Sequence, residues 1–96
     1  MEYEVILTYR AKVQLDHIVN YLLVESENTQ AALSVMEDAE TTRVRLSRIA
    51  GSLKLCDDPV LRDLGYRMIH FKYHRYFLLY RIEADKVYVD AIYHDS

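Results

Sequence analysis

Between positions 62 and 82 stand Arg62, Arg67, Lys72, Arg75 and Arg81, with His70 and His74, against a single acid, Asp63. The rest of the chain is acidic enough to bring the net charge to −3. Arginine presents a planar fork to phosphate oxygens. Histidine, with an ordinary pKa near neutrality, can exchange protons with a ribose hydroxyl or a leaving oxygen. Such a basic stretch could hold a phosphodiester, with Lys72 and Arg81 as backbone contacts. It would steer a polyanion only weakly from afar, and ordinary strand-face charges would look the same.

Which of these residues meet depends on the elements that carry them. Tyr3, Val5 and Leu7 alternate with Glu2, Glu4 and Thr8, the period of a short strand. From about Arg10 the period lengthens: Ala11, Leu15, Ile18 and Leu22 predict an amphipathic helix to about Val24. Asn28 is a good N-cap for a second helix. Ala32, Val35, Met36, Ala39, Arg43, Leu46, Ile49 and Leu53 mark its expected inner face, ending near Gly51 or Leu53. The short connection makes the two helices antiparallel neighbours. Residues 56–65 hold the only Pro, Pro59, and read as a loop. Three strand-like runs follow, 66–71, 75–82 and 86–94, with gaps short enough for hairpins. The expected class is α+β: a two-helix hairpin on one face of an antiparallel sheet, order β-α-α-β-β-β.

The last hairpin allows a register test. With Ala84-Asp85 as a two-residue turn, Ile82 faces Val87, Tyr80 faces Val89, Leu78 faces Ala91 and Tyr76 faces Tyr93. These eight side chains share one sheet face and all are apolar or aromatic, so the helices should cover them. The other face receives Arg75, Phe77, Leu79, Arg81, Tyr88, Asp90, Ile92 and His94. Arg75 then lies opposite His94, their side-chain origins roughly 5 Å apart, which is the pair that phosphodiester chemistry wants; two solvated strand-end residues would also look so. Tyr88 on that face could stack on a base. Phe77, Leu79 and Ile92 form an apolar patch there, to be covered by a partner unless another segment of the chain wraps round it.

Ninety-six residues, 51% hydrophobic and 28% charged, fit one globular domain over 1–96. The lone Cys56 allows no intrachain disulfide and has no placeable catalytic His. His70 and His74 alone rarely hold a metal, and His17 falls on a polar helix side. No metal or cofactor is therefore expected. No apolar run approaches the roughly 18 residues of a spanning helix, and the acidic start is unlike a leader. A cytoplasmic protein without a membrane partner is the expectation.

Several stretches resemble one known family. They are Val5-Ile6-Leu7-Thr8, Asn28-Thr29-Gln30-Ala31-Ala32, Leu64-Gly65-Tyr66-Arg67, Phe77-Leu78-Leu79-Tyr80-Arg81-Ile82 and Val87-Tyr88-Val89-Asp90-Ala91-Ile92-Tyr93-His94. In order and spacing they resemble the RelE/ParE superfamily of bacterial toxins over nearly the whole chain. The resemblance implies a toxin neutralised by an antitoxin whose C-terminal segment wraps sheet and helices. It further implies either a ribosome-dependent mRNA endonuclease or a ParE-type inhibitor of DNA gyrase. His74-Arg75 and Tyr93-His94 match two active-site pairs of the YoeB branch. By that resemblance Arg75 would stabilise a charged transition state, His94 would be general acid or base, and Arg67 a further basic group. The implied activity is metal-free mRNA cleavage on the ribosome. The alternatives are gyrase binding, which needs neither Arg75 nor His94, or a relative that has lost toxicity. Asp95 stands where the YoeB branch has a terminal Tyr, and the pI near 5.7 is low for an RNA-cleaving member.

Overall fold

The computed structural model describes residues 2–95. Strand β1 (Glu4–Leu7) runs into helix α1 (Tyr9–Asn20), capped by Thr8, whose hydroxyl accepts the Ala11 amide at 3.3 Å. One wider turn, Tyr21–Glu25, ends the helix. The chain then reverses through Glu27, at φ +47°. Asn28 caps helix α2 (Thr29–Ile49) as expected, its Oδ1 accepting from the Ala31 amide at 3.0 Å. A tight turn, Ala50–Ser52, closes it. Ala32, Val35, Asp38, Thr42 and Leu46 form the buried face of α2. That face is turned by about one residue from the expected one: Met36 is exposed and Arg43 reaches Glu40 at 2.6 Å.

The stretch expected as plain loop contains a short helix, α3 (Pro59–Asp63). Asp58 Oδ1 accepts from the Val60 and Leu61 amides, and Pro59 takes the first turn, where no amide is needed. Strands β2 (Arg67–His70), β3 (Tyr76–Glu83) and β4 (Lys86–His94) follow as a meander. The sheet order is β1-β4-β3-β2. Three strands are antiparallel, but β1 joins β4 in parallel, which makes the sheet mixed. Ala84 takes the first turn position between β3 and β4 at φ +55°, a conformation that suits Gly better.

The helical hairpin covers one face. Ala11, Val35, Leu46 and Ala50 pack there on Ile69, Phe71, Leu78, Tyr80, Val87, Val89 and Ile92. Tyr80 is fully buried and its hydroxyl donates to the Ala50 carbonyl at 2.8 Å, tying β3 to the end of α2. Burial pushes that phenol up to about 12.

The hairpin register corrects the expectation in its second half. Ile82, Arg81 and Tyr80 face Val87, Tyr88 and Val89, but Leu79 faces Ala91, Leu78 faces Ile92, Phe77 faces Tyr93 and Tyr76 faces His94. Asp90 is the extra residue of a β-bulge. One inserted residue reverses the alternation beyond it. Ile92 therefore enters the core in place of Ala91, and Tyr93 turns outward.

Candidate functional site

The bulge re-pairs the residues meant to do chemistry together. His94 pairs with Tyr76, edge to face with ring centres 5.2 Å apart, in place of the expected Arg75. Arg75 precedes β3, and its carbonyl accepts the Asp95 amide at 2.7 Å. Asp95 directs its carboxylate to His70, 3.3 Å away.

The other cations are committed elsewhere. Arg67 donates to the Leu53 carbonyl, with Gly51 O at 3.4 Å, and so ties β2 to the turn that closes α2 and to the residue after it. Arg81 is held by Asp90 at 2.9 Å and Glu83 at 3.0 Å, with its guanidinium over the Tyr88 ring. The Asp90 hydrogen bond, against the opposing effect of burial, raises Arg81 above its ordinary pKa. Arg81 stands five residues along β3 from Tyr76, and Tyr88 six along the bulged β4 from His94, roughly 17 Å away at strand rise. Of the lysines and arginines picked from the sequence, only Lys72 and Arg75 share one segment, the loop between β2 and β3.

The apolar patch is corrected too. Ile92 is buried in the main core, and Leu79 in a second small core with Cys56 and Ala91, flanked by Leu61, Tyr66 and Met68. The segment from Leu53 through α3 supplies that cover, as a strap across the outer sheet face. Phe77 stays half-buried between the His70 and Tyr93 rings, each 5.7 Å away. Beside the strap, Leu53, Leu55, Cys56, Leu61, Met68 and His70 line most of a concavity of about 470 Å³. Burial, then the charges of Asp57 and Asp58, push the Cys56 thiol up, so it is a poor nucleophile.

Two acids that sequence reasoning passed over organise the surface. Asp90 accepts from Arg81 and from the Tyr66 hydroxyl at 2.7 Å; that hydrogen bond and burial raise the Tyr66 phenol. Asp38, only 2% exposed, accepts from the amides of Lys72 (3.1 Å) and Tyr73 (2.8 Å) and from His74 Nδ1 (2.7 Å). A carboxylate only accepts, so Nδ1 is the donor, and His74 Nε2 lies 3.3 Å from Ser34 Oγ. Burial pushes the Asp38 carboxyl up, but the bonds from His74, Tyr73 and Lys72 outweigh it and hold the group below its ordinary value. Asp38–His74–Ser34 has the connectivity of a nucleophilic triad. Ser34 lies inside α2, where helical amides are bonded along the helix, so no pair of free amides converges as an oxyanion hole. The arrangement is a clamp on a loop. Its signal in the sequence was an acid on the Val35–Thr42–Leu46 stripe of α2.

Two helices on one face of a four-stranded open sheet, with a strap on the other, define a small toxin fold of the RelE/ParE kind. A family model described as "ParE toxin of type II toxin-antitoxin system, parDE" matches residues 5–96, and the chain belongs to that family. It is a toxin of a type II toxin–antitoxin system. Among solved structures it resembles the chromosomal ParDE TA system from P. aeruginosa, with a TM-score of 0.78 at 16% identity over 99% of this chain and 98% of that one. It also resembles the toxin–antitoxin complex RelBE2 from Mycobacterium tuberculosis, with a TM-score of 0.62 at 22% identity over 98% and 99%. At these identities the likeness is one of fold. No curated protein matches the chain. Among the described residues no helix is long and apolar enough to cross a membrane, and no group of His, Cys, Asp and Glu could hold a metal ion.

Proposed function

We propose that this toxin acts by binding, as a ParE-type inhibitor of DNA gyrase in the cytoplasm, and that an antitoxin holds it off its target. The observation that carries this reading is the bulge at Asp90. It sets His94 opposite Tyr76 in place of Arg75, while Arg67 and Arg81 are spent on carbonyls and carboxylates within the chain. An acid–base pair worth roughly 10²–10⁴-fold needs its two groups on one phosphate, and here the position opposite His94 is taken by Tyr76. Membership of the ParE family supports the same reading. The antitoxin's apolar contacts belong on the helical hairpin, where Tyr21, Val24, Leu33 and Met36 are exposed, more than on the strapped sheet face.

The test pairs two assays on the chain and its His94→Ala variant. Both proteins should block supercoiling by purified gyrase at similar concentrations and leave mRNA 5′ ends unchanged in cells. Cuts at fixed codon positions that vanish in the variant would overturn the binding reading and restore His94 to a nuclease site.

A further inference from the structure

The loop between β2 and β3 carries two exposed cations outside the ion pairs of the described residues. Lys72 and Arg75 flank Tyr73, which is 74% exposed, and Lys72 Nζ stands 5.3 Å from the centre of the Tyr73 ring. Among the described residues neither cation forms an ion pair. Along the outer face nearby run His70, Phe77 and Tyr93, the last accepting from Arg10 at 3.1 Å. Of the acids at this end, Asp95 is engaged with His70, and Asp38 with the loop amides and the His74 ring.

The loop is nevertheless held in one shape. The buried Asp38 carboxylate takes the amides of Lys72 and Tyr73 and the His74 ring, the Phe71 amide donates to the Tyr76 carbonyl, and the Arg75 carbonyl takes Asp95. Burying a carboxylate is costly, and here it fixes the backbone at Lys72 and Tyr73 and the His74 ring, while the Lys72 and Tyr73 side chains stay exposed. Such pre-ordering lowers the entropy lost when an outside partner is bound.

We infer that Lys72, Tyr73 and Arg75 form a docking surface for an acidic segment of the toxin's target protein, a step that rests on the binding reading above. Two cations around one exposed tyrosine match a pair of carboxylates beside an apolar side chain, and Tyr and Arg are the residue types that dominate interface energetics. A nucleic acid fits less well. Tight binding of a nucleic acid rests on neutralising many phosphates, and two cations neutralise few. Asp38 is a positioning residue for this surface.

The test titrates the ¹⁵N-labelled chain with a short Asp/Glu-rich peptide and, separately, with single-stranded RNA of equal charge. The inference expects peptide-induced amide shifts confined to residues 71–75, tighter binding of peptide than of RNA, and about tenfold weaker peptide binding by K72E/R75E. An unshifted spectrum outside 70–76 shows that the double variant is folded. No binding, shifts elsewhere, tighter RNA binding, or equal binding by K72E/R75E would each overturn it. Gyrase assays separate the two claims. If the unaltered chain inhibits and K72E/R75E inhibits equally, this surface is wrong and the gyrase reading stands. If the unaltered chain does not inhibit, the gyrase reading fails and the peptide titration decides the surface alone.

Discussion

Asp38 shows how one side chain can shape a surface it never reaches. Its carboxylate replaces water for two loop amides and an imidazole. Asp38→Ala leaves those donors without an acceptor at a partly covered site. A loss of roughly 2–4 kcal/mol follows in denaturant unfolding, with exchange of the Lys72 and Tyr73 amides becoming fast. The carboxyl is held below its ordinary pKa in the folded state. Its stabilising effect is therefore complete above the unfolded value of about 4 and is lost as pH falls through the folded value. Asp38→Asn should flatten that acid limb in unfolding curves measured from neutral pH downward. Ala84 offers the opposite case. Its φ of +55° is strained for a residue with a Cβ, so Ala84→Gly should raise stability by about 0.5–1 kcal/mol in the same measurement. A loss would mean that the methyl group contributes packing which the turn needs.

At the scale of elements, the strap decides what the outer sheet face offers. Cys56 points inward from it onto Leu79 and Ala91, 4% exposed, and α3 is anchored by the Asp58 cap. Asp58→Ala should cost about 1 kcal/mol and speed labelling of Cys56 by a thiol reagent by about fivefold or more, since local opening limits access. Unchanged labelling would mean that the strap is held by Leu61 and Tyr66 packing and not by its helix. The bulge is the second such device. Asp90 on the outer face ties Arg81 and Tyr66 together, while Ile92, just past it, packs in the core. Asp90→Ala should destabilise by about 1–3 kcal/mol, because it leaves Arg81 without its partly buried partner.

For the whole molecule, charge is divided between ends. The β3–β4 turn end carries Glu4, Glu83 and Asp85 with Lys86 and Arg81 paired to acids, whereas Lys72 and Arg75 at the other end are unpaired among the described residues. Binding through that end should weaken as salt shortens the screening length from about 10 Å at 0.1 M to about 3 Å at 1 M. Target inhibition measured across that range should fall, whereas unfolding stability should change little, because most of the ion pairs are exposed. Salt-independent inhibition would point to the apolar helical hairpin as the target contact.

Much of this architecture was legible in the residues. Alternation in Val5 and Leu7, the three-and-four spacing of Ala11, Leu15 and Ile18, the Asn28 cap and the Ala84-Asp85 turn each act over a few neighbours, so local chemistry suffices to place them. The family resemblance was readable for the same reason, since it lies in the order of these elements. What the sequence left open was everything set by partners distant in the chain. Val89-Asp90-Ala91-Ile92-Tyr93 supplies apolar residues to the inner face in either register, so alternation could not reveal the bulge that sets His94 opposite Tyr76 in place of Arg75. Leu79 looked uncovered because nothing local shows that residues 53–66 fold back over it. Asp38 read as one more helix acid until the loop at 71–75 came to rest on it. The residues fixed which elements form; only tertiary packing, by choosing register and burial, decided which side chains meet.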